Sequence, residues 1–235
     1  MKTEIIAEIG QNHNGNMELA ERLIRAARQG GADVAKFQVY DARALFPPEA
    51  ENPWFDYNCQ TELSRDDVRR LAECCEREGI EFMASVFDLE RIEWLEEVGV
   101  RRYKIASRSV FDRQLIDATA ATGKPLLVSL GAWTEPGLPQ IDAPGGVEYL
   151  HCVSKYPAPL EDVHLSNADF ARLAGFSDHT EGITAACASF VLGGRILEKH
   201  MTMDKATYGP DHACSMTPDE LGAIDLFRKE WVRCR

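Results

Sequence analysis

The chain has 235 residues, 45% of them hydrophobic, enough for a sizeable core in one large domain or two small ones. Its formal net charge is -12 and no basic stripe or arginine-rich arm interrupts that balance, which argues against a nucleic-acid partner. Seven cysteines, an odd number with no C-x-x-C, read as reduced cytosolic usage rather than a disulfide framework, with Cys152 and Cys187 in apolar runs as core residues.

The first residues run straight into Thr3-Glu4-Ile5-Ile6-Ala7-Glu8, with no basic region and apolar stretch of a secretion signal. No apolar run approaches the ~20 residues that span a bilayer, so the expected location is cytoplasmic, away from membranes. Short apolar runs then alternate with amphipathic stretches, the βα signature. The first strand is expected at 5–9, followed by a helix with Leu19, Leu23, Ala26 and Ala27 on one face, then a strand at 34–38. Residues 41–61 read as a long loop with Pro47, Pro48, Pro53, Trp54, Phe55 and Tyr57, either a lid or contact surface or a packed insertion. A helix capped by Ser64 with Asp67 at its third position carries Val68, Leu71, Ala72 and Cys75 on its apolar face. A strand at 82–85, a helix with Ile92, Leu95 and Val98, and strands at 103–105 and 126–129 follow. Residues 132–146 hold three prolines and three glycines without helical period, so the fifth helix is expected to be missing or reduced to a turn. Strands at 149–152 and 174–177, a helix with Ile183, Ala186, Cys187, Phe190 and Val191, and a strand at 196–200 complete the series. The last helix starts at Thr217-Pro218-Asp219-Glu220 and buries Leu221, Ile224, Phe227 and Trp231.

Eight strands with intervening helices in this length predict a (β/α)₈ barrel, typically ~250 residues, as one domain over 1–235. An open doubly wound sheet is the alternative. It favours a glycine-rich phosphate loop after the first strand, and Gly10-Gln11-Asn12-His13-Asn14-Gly15 is not G-x-G-x-x-G.

A barrel gathers its chemistry at the C-terminal ends of its strands. Those ends supply Glu8, Lys36, Gln38, Ser85, Lys104, Ser107, Ser129, Ser154, Tyr156, Ser177, His179, Glu198 and His200. His179 and His200 end successive strands with twenty residues between them, a placement that sets two imidazoles side by side for one divalent metal. Two lysines set in apolar strands, with several serines, suit a phosphate or carboxylate beside that metal. A lysine Schiff base, as in barrel aldolases, is the competing chemistry.

These residues also carry a resemblance. Ala7-Glu8-Ile9-Gly10-Gln11-Asn12-His13-Asn14-Gly15, Gly31-Ala32-Asp33-Val34-Ala35-Lys36-Phe37-Gln38, Tyr103-Lys104-Ile105-Ala106-Ser107 and Gly123-Lys124-Pro125 are similar to motifs of the sialic acid synthase family. His151-Cys152-Val153-Ser154-Lys155-Tyr156-Pro157, Ser177-Asp178-His179-Thr180, Glu198-Lys199-His200-Met201-Thr202 and Gly209-Pro210-Asp211-His212 continue it in order over essentially the whole chain. The resemblance implies a barrel that condenses phosphoenolpyruvate with an open-chain sugar aldehyde, usually a hexosamine, with Mn²⁺ or Mg²⁺. It implies that His179 and His200 hold the metal and that Glu8 acts near the metal-bound water or aldehyde. It places Lys36, Lys104, Ser107, Ser129 and Ser177 on phosphoenolpyruvate, and Gln38, Tyr156 and Asp211 on the acceptor side. A homodimer is expected, with Trp54, Phe55 and Tyr57 as anchors.

Two departures from the family pattern bear on the acceptor. Family synthases usually carry a C-terminal antifreeze-like domain whose arginine reaches the partner's sugar site, and this sequence ends at Arg235 after the last barrel helix. The expectation is that a separate protein supplies that domain or that N-acetylmannosamine is not the best acceptor. Ser109 stands where an acidic residue is common. A non-catalytic sugar-binding or scaffolding barrel is the remaining alternative, against which the retained Glu8, Lys36, Lys104, His179 and His200 argue.

Overall fold

A computed structural model describes residues 3–45 and 52–234. The elements run β1 (Glu4–Gly10), α1 (Met17–Gly30), β2 (Val34–Val39), α2 (Ala42–Leu45), α3 (Phe55–Thr61), α4 (Arg65–Glu78), β3 (Glu81–Val86), α5 (Leu89–Glu97) and β4 (Tyr103–Ile105). They continue with α6 (Arg113–Ala120), β5 (Leu126–Ser129), β6 (Val147–Cys152), α7 (Leu160–Val163), β7 (Gly175–Asp178), α8 (Thr184–Val191), β8 (Ile196–His200) and α9 (Pro218–Cys234). The strands pair in parallel and in sequence order, and β8 closes back on β1. This is the expected (β/α)₈ barrel and excludes the open sheet.

The two-residue period of each strand sorts its side chains between two environments. One set, including Ile5, Ala7, Phe37, Ala84, Ile105, Val128 and Leu197, packs in the main cluster with helix residues such as Leu23, Leu71, Leu95 and Phe190. The other set points into the barrel. Its lower layer is apolar, formed by Ile6, Val34, Met83, Leu127, Leu150 and Ile196. Two residues further along the same strands the inward positions become Glu8, Lys36, Ser85, Ser129, Cys152 and Glu198. An apolar plug thus supports a polar floor that is carried by packed strands. Gly175 lets β7 approach β8 closely, since a Cβ there would sit 1.7 Å from the Ile196 carbonyl oxygen.

The helix signals hold locally. Ser64 and Asp67 form a reciprocal capping box at α4. Thr217 Oγ1 accepts from the Glu220 N–H at 3.3 Å, and Glu220 Oε2 accepts from the Thr217 N–H at 2.8 Å. Residues 130–146 contain no helix, as expected from their prolines. Ile141, Ala143 and Trp133 cover the barrel there instead, and Tyr149 donates its hydroxyl to the Pro139 carbonyl at 2.6 Å.

One segment corrects the sequence reading. Residues 41–61 are not a continuous loop, because α2 and α3 lie within them; Pro47 and Pro48 fall outside the described residues. Tyr57 of α3 is buried and donates to the Gln11 carbonyl at 3.0 Å, so it serves the barrel mouth rather than an outer interface. The short helices α6 and α7 were also not expected. With eight and four residues, they are too brief to show a clear 3.6-residue period.

Among the described residues no helix is long and apolar enough to cross a membrane. All seven cysteines are unpaired.

Candidate active site

The floor of the barrel mouth holds four buried charges in alternation. Lys36 Nζ lies 2.6 Å from Glu8 Oε2 and 3.5 Å from Glu198 Oε2, and Lys104 Nζ lies 3.5 Å from Glu198 Oε1. Serines from neighbouring strands complete the set. Lys36 donates to Ser85 Oγ at 3.0 Å, Lys104 to Ser129 Oγ at 2.8 Å, and Ser177 donates to Glu198 Oε1 at 2.9 Å. Two cations and two carboxylates cancel, which offsets much of the cost of burying each one.

The four groups titrate differently. Burial raises the Glu8 pKa, with the Glu198 charge adding to it, and the Lys36 charge only partly opposes that rise. Burial also disfavours the charged form of Glu198, but Lys104 and Lys36 outweigh it and hold that carboxyl at about 2. Burial lowers the Lys104 pKa, while Lys36, facing both carboxylates, is raised despite its burial. Of the two floor carboxyls, Glu8 is thus the one whose pKa is raised and Glu198 the one held ionised.

The histidines stand beside this floor, with ring centroids 5.7 Å apart. His179 Nδ1 lies 2.7 Å from the Val153 carbonyl, so Nδ1 carries the hydrogen and the Nε2 lone pair is available. Burial first, and the His200 ring second, lower the His179 pKa to about 3. Burial lowers His200 as well; its Nδ1 is buried without a hydrogen-bond partner, 3.8 Å from Asp211 Oδ2. Two neutral imidazoles, one fixed in tautomer and one with an orphaned nitrogen, suit a divalent ion. Among the described residues no group of three or more His, Cys, Asp or Glu forms a metal cage. The histidine pair named from the sequence thus stands at the mouth with ring centroids 5.7 Å apart.

One small pocket is lined by Glu8, Lys36, Gln38, Ser85, Lys104, Ser107, Ser129, Tyr156, Ser177, His179, Glu198 and His200. The structure thus brings together twelve of the fourteen residues singled out from the sequence. The other two, Ser154 and Asp211, line a cavity of about 460 Å³ that shares Gln38, Ser107, Tyr156 and His200 with the floor. Ser154 Oγ is 2.7 Å from Ser107 Oγ, and Gly131 faces both; a Cβ on it would lie 2.5 Å from Ser154 Oγ and 2.9 Å from Ser107 Oγ.

Several lining residues were missed. Cys152, read as core, lines the floor pocket, and Cys187 is only partly buried. Gln11 donates to Tyr40 Oη at 2.5 Å and to Asn58 Oδ1 at 2.8 Å, a buried network on the cavity wall. Gln11 sits within the Gly10 to Gly15 run, which could have flagged it. Asn58 was hidden by the loop reading of α3. Trp54, Phe87 and Arg108 line the same cavity.

A barrel with paired lysines, carboxylates and histidines gathered at its mouth is the arrangement of an enzyme site. Comparison with known proteins narrows this class. The NeuB family model matches residues 23–227, and the chain belongs to that family. It is 35% identical to the N,N'-diacetyllegionaminic acid synthase of Legionella pneumophila, covering 92% of this chain and 68% of that protein. It is 34% identical to the human N-acetylneuraminate-9-phosphate synthase, covering 94% of this chain and 67% of that protein. The structure superposes on the crystal structure of an N-acetylneuraminic acid (sialic acid) synthetase from Leptospira borgpetersenii with a TM-score of 0.90 at 28% identity, covering 100% of this chain and 85% of that one.

Proposed function

We propose that this chain condenses phosphoenolpyruvate with the open-chain form of a sugar aldehyde to give a nonulosonic or related 2-keto-3-deoxy acid. The observation that carries this reading is the floor: two buried, serine-bonded lysines within one pocket of two neutral histidines. The NeuB relatives named above are sugar-acid synthases, which supports a C–C bond-forming transferase.

Lys36 and Lys104, with Ser107, Ser129 and Ser177, hold the phosphate and carboxylate of phosphoenolpyruvate by charge-assisted hydrogen bonds. Its C3 attacks the aldehyde carbon, forming the new C–C bond and turning the carbonyl oxygen into a hydroxyl. Glu8, whose pKa burial raises, serves that oxygen or the incoming water. The Glu198 carboxylate, held ionised, stabilises positive charge that develops at C2. Water adds at C2, the C2–O bond to phosphate breaks, and a 2-keto acid and inorganic phosphate result. A divalent ion, Mn²⁺ or Mg²⁺, held by His179 and His200 would supply Lewis-acid polarisation of the aldehyde. Gln38, Ser154, Tyr156 and Asp211, which line the upper cavity, face the acceptor, and Ser85 holds Lys36 in the floor.

One observation favours a Schiff-base aldolase, the lowered pKa of buried Lys104. Its engagement with Ser129 and its closeness to Glu198 weigh against that role. Phosphate release from phosphoenolpyruvate, measured against a panel of sugar aldehydes, tests the proposal. Aldehyde-dependent release supports it. Borohydride trapping of a lysine adduct without phosphate release would replace it with the aldolase.

A further inference from the structure

The cavity of about 460 Å³ above the floor takes part of its wall from three separate segments. Gln11 comes from the turn after β1, Trp54 and Asn58 from the start and body of α3, and Asp211 from the long connection between β8 and α9. Secondary structure alone places none of them. Residues 11–15 form a turn, α3 has seven residues and no side-chain cap, and residues 202–215 contain neither helix nor strand. A helix that short needs tertiary contacts to hold it. The three segments meet at Asn14. Its Oδ1 accepts from Tyr57 Oη at 2.7 Å and lies 3.2 Å from His212 Nε2. Its Nδ2 donates to the Tyr208 carbonyl at 3.0 Å, and its own carbonyl accepts from Gln60 Nε2 at 3.0 Å. An amide oxygen only accepts, so His212 Nε2 carries the hydrogen. The backbone of Asn14 has a φ of 50°, in the left-handed region that asparagine enters more readily than other side-chain-bearing residues. Gly15 beside it lets α3 come close, since a Cβ there would stand 2.5 Å from the Gln60 carbonyl oxygen.

We propose that Asn14 is a positioning residue for the acceptor: without lining the cavity, it fixes Asn58 and Asp211 in the wall through Tyr57 and His212. This rests on the condensation reading of the floor. Tyr57 directly precedes Asn58 on α3, and its hydroxyl, bound to Asn14 and to the Gln11 carbonyl, sets the rotation of that helix against the turn after β1. His212 directly follows Asp211. Its ring is clamped between Asn14 Oδ1 and Thr202 Oγ1, the latter at 2.7 Å, and this holds Asp211 Oδ2 at 3.8 Å from His200 Nδ1. The floor that takes phosphoenolpyruvate has a different support, the paired backbones of the barrel strands. Loss of the Asn14 amide therefore disturbs the acceptor side and spares the enolpyruvate side. Aromatic packing at the same junction, with Trp54 and Tyr208 ring centroids 5.3 Å apart and Trp54 and Tyr57 5.9 Å apart, keeps the segments together when those hydrogen bonds are gone.

The test measures phosphate release from phosphoenolpyruvate with N-acetylmannosamine, mannosamine and mannose, and follows both KM values with the aldehyde that the wild-type chain uses best. Asn14→Gly keeps the left-handed backbone at no steric cost and removes the amide. It should raise the aldehyde KM about tenfold or more while the phosphoenolpyruvate KM stays within about twofold. Asn14→Asp retains an acceptor for Tyr57 and His212 and should recover most of that loss. Tyr57→Phe should raise the aldehyde KM in the wild-type chain and raise it less in Asn14→Gly, where its partner is already gone. If Asn14→Gly fails to fold, Tyr57→Phe alone decides by the same split between the two KM values. A wild-type aldehyde KM in Asn14→Gly would show that only the turn backbone matters, and it overturns the positioning role. A parallel rise in both KM values overturns it as well, while the condensation stands. Absence of phosphate release by the wild-type chain with every aldehyde overturns the condensation reading and the positioning role with it.

Discussion

Lys199 Nζ donates to Asp178 Oδ2 at 2.9 Å, and neither charged side chain has any exposed surface. Each precedes one of the paired histidines, so alternation turns the ion pair toward the outer side of the strands while His179 and His200 face the mouth. Lys199 also donates to the Thr180 carbonyl at 2.7 Å, binding the end of β8 to the segment that carries His179. The pair thus holds the spacing of the histidines from behind. Lys199→Met should strand the Asp178 charge and cost about 3–5 kcal/mol in denaturant unfolding, with much of it regained when Asp178→Leu is added. A single-variant loss below about 1 kcal/mol would contradict this account.

Lys104→Met should weaken phosphoenolpyruvate binding by about 1.5–3 kcal/mol, because it removes a charge-assisted contact. Titration calorimetry with phosphoenolpyruvate reads this directly. The KM for the aldehyde should move much less. Unchanged phosphoenolpyruvate affinity would remove Lys104 from the anion site.

Gly131→Ala should fill the space beside Ser107 and Ser154, since its Cβ would stand 2.5 Å from Ser154 Oγ and 3.0 Å from Cys152 Sγ. Gly131 lies outside the regular strands, so the expected signature is a raised phosphoenolpyruvate KM with a modest change in unfolding temperature. A variant with wild-type KM would show that this space is not used by substrate.

Metal removal should abolish phosphate release and leave the circular dichroism spectrum unchanged, because the barrel core of apolar side chains does not involve the histidines. Readdition of Mn²⁺ or Mg²⁺ should restore turnover. Full activity of the His179→Ala, His200→Ala double variant in chelator would refute the histidine pair as ligands.

Acid should destabilise the fold partly through His13. Burial lowers its pKa from 6.5 to about 4, and its Nδ1 accepts from the Gly15 N–H at 3.1 Å. As pH falls below 6.5 the unfolded chain takes up a proton that the native state refuses until about pH 4, so stability is lost across that window, by about 3 kcal/mol in all. His13→Asn keeps an acceptor for Gly15 and removes the titration. Its unfolding free energy should fall less steeply between pH 7 and 5 than that of the wild type; an identical slope would clear His13 of the role.

Much of this architecture was legible before any coordinates. Periodicity located the eight strands to within a residue or two, because a strand with one face in a barrel and the other under helices must alternate. Punctuation by Pro136, Pro139 and Pro144 foretold the missing fifth helix. The strand-end rule of barrels then gathered Glu8, Lys36, Lys104, His179 and His200 onto one face. Local signal fails where an element is short or its partner distant: the seven residues of α3 follow a proline-rich stretch that reads as loop, and Tyr57 reads as a surface anchor because its acceptor, the Gln11 carbonyl, lies far away in sequence.

The sequence by itself determined the element order, the barrel and the chemical types at its mouth, since these depend on local period, turn residues and strand ends. Only the tertiary structure decided how those types combine. Lys36 sits between two carboxylates while Lys104 faces one, and Glu8 is pushed toward its protonated form while Glu198 is held ionised. Nothing in four strand-end residues taken singly distinguishes these states. Burial and charge at 2.6 to 3.5 Å set them, and both arise only when β1, β2, β4 and β8 close into one ring.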